Sequence, residues 1–493
     1  MPSYSTPGAY IEEVSVFPPS IAQVATAIPA FIGTTQRAIG KNNEDLTNKA
    51  IRITSLLEYE DLFGTGALPA KLLLKIEESY DVGDSLSGIS VDWASPPVLP
   101  ERYMYPSMRL YFANGGGPCY IYSLGDYADG TDPKEDAYAK AILALESYDE
   151  PTLLVFPDAA RLGDKYGVVA DAALVSCNKM KDRFAILDVP NAVAGETDTA
   201  EKVSTQFRSK ISKGAVDFAK YGAAYFPYLR TNMSVVIADA AVSLKSYHTI
   251  KAQKEGPAKK DPVADAADKA LDDPAFDMKG KHAAAYGRAR AFLKDWTDAI
   301  QLTVPPSGAI AGLYAEVDRT RGVWKAPANV GVSLAVAPAV PITNDLQDQL
   351  NIEPFGRSVN VVRSFFGKGV MVWGARTLAG NDGEWKYVNV RRFASFVEES
   401  VQKAVQAFVF EPNDANTWVK VRTMIENFLT NQWRDGALMG AKPEHAFKVA
   451  VGLNQTMSAQ DVIDGYMIVD VFLAMVRPAE FIRLRFMQKM PES

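Results

Sequence analysis

The chain has 493 residues, of which 47% are hydrophobic and 23% charged, the balance of a folded protein rather than a disordered scaffold. Its length calls for two or three domains. A net charge of −7 argues against a general nucleic-acid binder, which is ordinarily basic.

Residues 1–22 read as an extended arm. Pro7-Gly8-Ala9-Tyr10-Ile11-Glu12-Glu13-Val14 carries no cap and no helical period, and Phe17-Pro18-Pro19 closes the segment. From Val24 to about Pro190 short apolar runs alternate with helical spacing. Strands are expected at Ala30–Thr34, Tyr120–Ser123, Thr152–Phe156 and Phe184–Leu187, and helices at Lys134–Ser147 and Val168–Lys181. That alternation predicts an α/β domain. Asp81–Arg102, rich in Ser, Gly, Pro and Asp, reads as a surface excursion, and Lys251–Lys281, crowded with Lys and Asp, as a solvated loop or projecting helix pair. A helix resumes at Tyr286–Ile300, with Phe292, Trp296 and Ile300 spaced by four, and Val304-Pro305-Pro306-Ser307-Gly308 ends it.

The pattern changes from about Trp324. Val388–Phe410 reads as a long amphipathic helix carrying Phe393, Val397, Val401, Val405 and Phe408. Glu411-Pro412-Asn413-Asp414 breaks it, and Asn413 or Asp414 is placed to cap a second helix reaching about Arg434. Phe447, Val449, Val451 and Leu453 then alternate, as do Val469, Val471, Leu473 and Met475. Two antiparallel neighbouring strands are predicted, separated by a short segment around Ser458–Asp464. Two strands alone are marginal. The C-terminal arm, 477–490, contains Phe481-Ile482-Arg483-Leu484-Arg485-Phe486, again a strand pattern with no hairpin partner in reach. An isolated strand must satisfy its backbone groups in a sheet elsewhere, in this chain or another. A chain with such a strand at each end can be stitched into a mesh, which points to an assembly component. The recipient would be the hairpin, completed to four strands by Tyr10, Ile11, Glu12 and Val14 of one arm and Phe481, Ile482, Leu484 and Phe486 of the other.

No catalytic constellation is legible. Cys119 and Cys177 are expected to be buried hydrophobes rather than a disulfide framework. His248, His282 and His445 lack ligand spacing, and His282, in the charged segment, is expected to be solvated. Gly115-Gly116-Gly117 lacks the Gly-Lys-Ser/Thr ending of a phosphate loop and reads as a turn allowing close backbone approach. Ser307 lies outside any Gly-x-Ser-x-Gly elbow and reads as a turn residue. Glu12 and Glu13 point to opposite faces of a strand, and Glu398 and Glu399 read as the solvated side of a helix. No basic and then apolar leader opens the chain, and no stretch approaches about 18 uninterrupted apolar residues.

The ordered blocks Tyr4-Ser5-Thr6-Pro7-Gly8-Ala9-Tyr10-Ile11-Glu12-Glu13, Ala27-Ile28-Pro29-Ala30-Phe31-Ile32-Gly33, Ile53-Thr54-Ser55 with Glu58-Tyr59 and Leu62-Phe63-Gly64, Tyr111 to Tyr120, Leu154-Val155-Phe156-Pro157-Asp158, Val304 to Gly308, Gly322 to Asn329 and Trp373-Gly374-Ala375-Arg376-Thr377-Leu378 resemble contractile tail sheath proteins. These form the outer sleeve of myophage tails, R-type bacteriocins and extracellular contractile injection systems. The opening through Gly33 is most similar to the injection-system branch.

The resemblance implies a two-lobed α/β (mixed α+β) subunit. The inner lobe would combine the arm 1–22 with 326–493, including the C-terminal arm, and the outer α/β lobe would span 23–325, including 81–102 and 251–281. It also implies stacked hexameric rings of the same chain around an inner tube protein, with baseplate and sheath-cap partners. No cofactor, catalysis, nucleic acid or direct membrane insertion is expected. Assembly in the bacterial cytoplasm without a signal peptide is expected, in a particle that is then released or anchored. A tube-facing helix carrying Lys420, Arg422 and Arg434 is implied, with Arg391, Arg392 and Lys403 of the preceding helix as the next candidates. The alternatives are the tail sheath of a contractile phage or R-type bacteriocin and, remotely, an α/β enzyme.

Overall fold

The computed structural model describes residues 20–484, apart from 68–71, 128–131, 191–196, 212, 236 and 352–355. The chain divides into two compact units. One comprises 27–320 and 327–388; the other comprises 321–326 and 389 onward, together with the residues before 27.

The larger unit is built on a nine-stranded sheet. Its strands are β1 (Pro29–Gly33), β2 (Ala50–Ile53), β5 (Cys119–Ser123), β6 (Leu153–Val155), β7 (Phe184–Asp188), β8 (Gly222–Phe226), β11 (Val330–Gly331), β12 (Val359–Phe365) and β13 (Gly369–Val372). Their spatial order is β11-β13-β12-β8-β7-β6-β1-β5-β2. The six strands from β12 to β5 are parallel neighbours, while β2, β13 and β11 run antiparallel at the edges. A parallel sheet is covered on both faces, so its strands are apolar throughout. Accordingly Ala30, Ile32, Leu154, Ala185 and Leu187 pack into one core, and Phe31, Leu153, Val155, Phe184 and Ile186 into the other. Among the helices of this unit are α1 (Met104–Ala113), α2 (Glu135–Leu145), α3 (Tyr166–Met180) and α5 (Ser307–Arg321). Gly308 and Gly312 let α5 approach α1 closely, because a Cβ at either would overlap the carbonyl oxygen of Ser107 or Tyr111.

The reading of 251–281 as a solvated loop or projecting helix pair is overturned, whereas 81–102 lies at the surface as read, with none of its residues buried. Residues 81–102 contain β4 (Leu86–Trp93), which pairs with β3 (Leu72–Tyr80). Residues 251–281 contain β10 (Lys259–Pro262), paired with β9 (Val242–Lys251). Together they form a four-stranded sheet in the order β10-β9-β3-β4. Helix α4 (Ala283–Ala299) packs on it, and Leu72, Leu74, Ile76, Leu271, Phe276, Met278, Ala285 and Leu293 share one core. Abundant Lys and Asp concealed the few apolar residues that anchor the segment. His282 is likewise not simply solvated: it stacks on Phe276 at 5.0 Å, and its Nδ1 lies 3.2 Å from the Tyr247 hydroxyl.

The smaller unit is two helices and a hairpin. Helix α6 (Val388–Val405) presents Phe393, Phe396 and Val397 to Val421, Met424, Ile425, Phe428 and Leu429 of α7 (Ala415–Arg434). Asp414 caps α7, its carboxylate accepting from the Thr417 amide at 3.0 Å. Ile21 and Val24 pack on the same core, so the chain enters this unit before it enters the larger one. The boundary drawn at 326 moves, because 327–388 supply β11, β12 and β13 to the large sheet. Glu399 differs from its solvated reading; it is buried and pairs with Lys403 at 2.7 Å.

Candidate assembly interface

Open parallel sheets bind ligands beyond the carboxyl ends of their strands, where the strand order reverses. Here the reversal falls between β1 and β6, and the chain's own groups close it. Asp158, just after β6, accepts from the Thr34 amide and hydroxyl, both at 2.9 Å, and from the Tyr103 amide at 2.6 Å. One strand over, Asp188 ends β7 and accepts from the Ser307 amide at 2.9 Å and its hydroxyl at 2.5 Å. Both carboxylates are buried at helix starts, Tyr103 preceding α1 and Ser307 opening α5. Ser307 is therefore a helix-start residue and not merely a turn. Both aspartates end or follow apolar runs, LLVFPD and FAILD. Among the described residues no group of three or more His, Cys, Asp or Glu could hold a metal ion.

Burial pushes the Asp188 carboxyl up to about 7, against the opposing pull of the Ser307 hydrogen bonds. An unfolded chain releases that proton near pH 4, so between about pH 4 and 7 the native state binds more protons than the unfolded one. The stability contributed by protonated Asp188 is therefore full below pH 4 and lost as pH rises toward 7. Asp188→Asn keeps an acceptor for the Ser307 amide and should remove this part of the pH dependence. Urea midpoints at pH 5 and 8 check it, and an equal pH dependence in both proteins would refute it.

The smaller unit presents a different surface. Strands β14 (Phe447–Ala450) and β15 (Asp470–Leu473) pair antiparallel, with Phe447 opposite Leu473 and Val449 opposite Val471. These four side chains pack against the helices, as does Val469, and Val451 is buried. Ala474 N–H donates to the Ala446 carbonyl, which sets the alternation: residues 446, 448 and 450 bond toward β15, while 447 and 449 point outward. The outward groups of Val449 on one edge, and of Val471 and Leu473 on the other, have no partner among the described residues. Two free edges on an apolar-backed hairpin form a template for added strands.

The matches to known proteins fall on this same unit and extend beyond it. Residues 381–489 match the phage tail sheath C-terminal domain. The tail sheath protein of Burkholderia phage BcepMu is 32% identical over 148 residues, 28% of this chain and 30% of that protein. That of Enterobacteria phage T4 is 25% identical over 215 residues, 43% of this chain and 31% of that protein. The alignments thus span about a third of these curated relatives. Over the whole chain, the sheath of the extracellular contractile injection system PVC in its contracted state aligns at 29% identity and a TM-score of 0.62, covering 99% of both chains. The contracted helical sheath of the anti-feeding prophage gives the same identity and score, covering 99% of this chain and all of that one. Along its whole length the chain is thus similar to contractile tail sheath proteins.

Of the residues expected to make assembly contacts, Tyr10, Ile11, Glu12, Val14 and Phe486 lie outside the described residues. Phe481, Ile482 and Leu484 are described and exposed, at 72%, 78% and 72%, without a strand partner among the described residues. The three helix cations separate. Lys420 and Arg434 are exposed on one face of α7 with Asn416, Asn427 and Asn431, and neither makes an ion pair among the described residues. Arg422 points elsewhere, donating through Nη2 to the Val451 carbonyl at 2.8 Å and to Gln455 Oε1 at 3.4 Å. The next candidates on α6 are engaged. Arg391 pairs with Glu398 at 2.9 Å, Arg392 donates to the Thr26 carbonyl, and Lys403 pairs with Glu399. Both cysteines are buried free thiols, and burial pushes each thiol up.

Proposed function

We propose that this chain is the subunit of a contractile sheath that polymerises as stacked hexameric rings around an inner tube and contracts to drive the tube through a target membrane. The observation that carries the reading is whole-chain likeness to two contracted injection-system sheaths, together with a hairpin open on both edges. An extracellular contractile injection system is the favoured setting, because the full-length matches are of that type while the phage relatives match over shorter stretches. Baseplate and cap proteins complete the particle, which is assembled in the bacterial cytoplasm. The anti-feeding prophage baseplate is itself among the structures this chain resembles, at 29% identity.

The mechanism follows from two kinds of contact. Terminal arms of neighbouring copies would add to the hairpin edges, where main-chain hydrogen bonds give strength and alternating side chains fix register. Each bond is worth only about 1 kcal/mol net, but several must break together in a lattice. That mesh can hold while other faces exchange contacts between the extended and contracted states. The extended sheath is then kinetically trapped, and coupling between neighbours spreads its release.

The tube contact is assigned to the exposed face of α7, with Lys420 and Arg434 as its cations. One exposed charge pair counts for little, but a helical array repeats the contact at every subunit. Facing charges set register, and like charges brought together cost several kcal/mol. Lys420→Glu with Arg434→Glu should release the tube at lower salt while leaving sheath–sheath contacts intact. Co-assembly with tube protein across a salt series, followed by electron microscopy, checks this. Tube-filled sheaths with unchanged salt sensitivity would exclude this face.

A further inference from the structure

We infer that charge sorts the two terminal arms onto opposite edges of the hairpin. The arm of residues 9–14 joins β14 of a neighbouring copy, and the arm of residues 479–486 joins β15. This rests on the strand-exchange reading above and adds which segment takes which edge.

The edges differ in charge. Lys448 is exposed on β14, its ammonium 5.9 Å from the centre of the Phe472 ring. Arg422 lies where the same edge ends, holding the outward carbonyl of Val451, one residue past the strand. Its guanidinium has only the neutral acceptors Val451 and Gln455, its Nε is buried without a partner, and it makes no ion pair among the described residues. The β14 edge thus carries a fixed, uncompensated cation from the helix side and a second cation on the solvent side. On β15 the exposed charge is Asp470, opposite Ala450.

The arms carry the complementary charges. Ala9-Tyr10-Ile11-Glu12-Glu13-Val14 has two adjacent carboxylates, and Phe481-Ile482-Arg483-Leu484-Arg485-Phe486 has two guanidiniums. Neighbouring residues of a strand face opposite sides of the sheet. Glu12 and Glu13 would therefore present one carboxylate to the Lys448 side and the other to the α7 side, where Arg422 lies. Arg483 and Arg485 share one face, the side on which Asp470 can meet them. A matched cross-strand charge pair favours one pairing by roughly two- to fivefold, and like charges opposed disfavour the other similarly. Swapped arms would lose both preferences at once and place like charges along both edges. Arg422 also occupies the Val451 carbonyl, so a strand added at β14 must stop there, which fixes its register.

Charge-swap assembly tests the assignment, read as cylinder length and pelleted fraction in the full chain. Glu12→Lys with Glu13→Lys should cut the pelleted fraction several-fold, and adding Lys448→Glu should restore a large part of it. Arg483→Glu with Arg485→Glu should behave likewise, with Asp470→Lys as the restoring change. Failure of Lys448→Glu to restore assembly of Glu12→Lys/Glu13→Lys would overturn the sorting. So would unimpaired assembly of either arm variant. Deletion of residues 1–15 is the control that separates the two claims. If the deleted protein assembles normally, strand exchange by this arm fails; if it does not assemble and the swaps fail to restore, only the sorting fails.

Discussion

The chain lacking residues 1–15 is expected to remain soluble and folded, yet to build no long cylinders. The described fold does not need the arm. Ile21 and Val24 already anchor the chain on the smaller unit, and the hairpin core of Phe447, Val449, Val471 and Leu473 is packed against α6 and α7 within one chain. On the strand-exchange proposal, the deletion removes a strand for a hairpin edge. The outward groups of Val449 would then have only water, and each ring would lose its main-chain link to the next. Each lost bond costs about 1 kcal/mol, but a lattice multiplies the loss at every subunit. Circular dichroism and size exclusion should show a folded monomer, and electron microscopy an absence of sheaths longer than a few rings. Cylinders of ordinary length would show that this arm donates no strand.

The second large effect concerns Lys251–Lys281. Replacing it by a short Gly/Ser linker is expected to unfold the four-stranded subdomain. The linker would remove β10 from the edge of β9, together with Ala266, Leu271, Phe276 and Met278 from its core. Loss of a buried Leu, Phe or Met side chain costs about 2–5 kcal/mol each, and three together exceed what a sheet this small retains. Leu72, Leu74, Ile76, Val242 and Leu244 would be uncovered. Aggregation, or protease cleavage confined to residues 72–93 and 242–299, is the predicted outcome. A soluble, protease-resistant replacement would show that the segment contributes nothing to this core.

The contrast between these cases shows what the sequence displayed. The parallel strands were legible where burial on both faces leaves a continuous apolar run, as at Phe31-Ile32 and Leu153-Leu154-Val155. Helix α7 was legible from its period and from Asp414, and the hairpin from strict alternation on a half-buried sheet. Gly222–Phe226, reading GAAYF, was missed because small residues filling a tight interior give little hydrophobic signal. Residues 251–281 were misread because spaced apolar anchors among many charges have no period, and tertiary packing supplied the order that local propensity lacked. Helix α5 was missed because Pro305-Pro306 looks like a terminator, whereas proline also suits a helix start. Asp188 and Asp158 lay in plain view at strand ends, but their hydrogen-bond partners lie far along the chain. Arg422 was grouped with Lys420 by proximity in sequence, although two residues of helix turn it to a different face.

The most direct test of the account is a cryo-electron microscopy reconstruction of cylinders assembled from this chain. The account predicts a four-stranded sheet at every subunit, in which the hairpin of Phe447–Ala450 and Asp470–Leu473 is flanked by residues 9–14 of one neighbouring copy and 479–486 of another. A hairpin left two-stranded, or arms folded back on their own subunit, would contradict it.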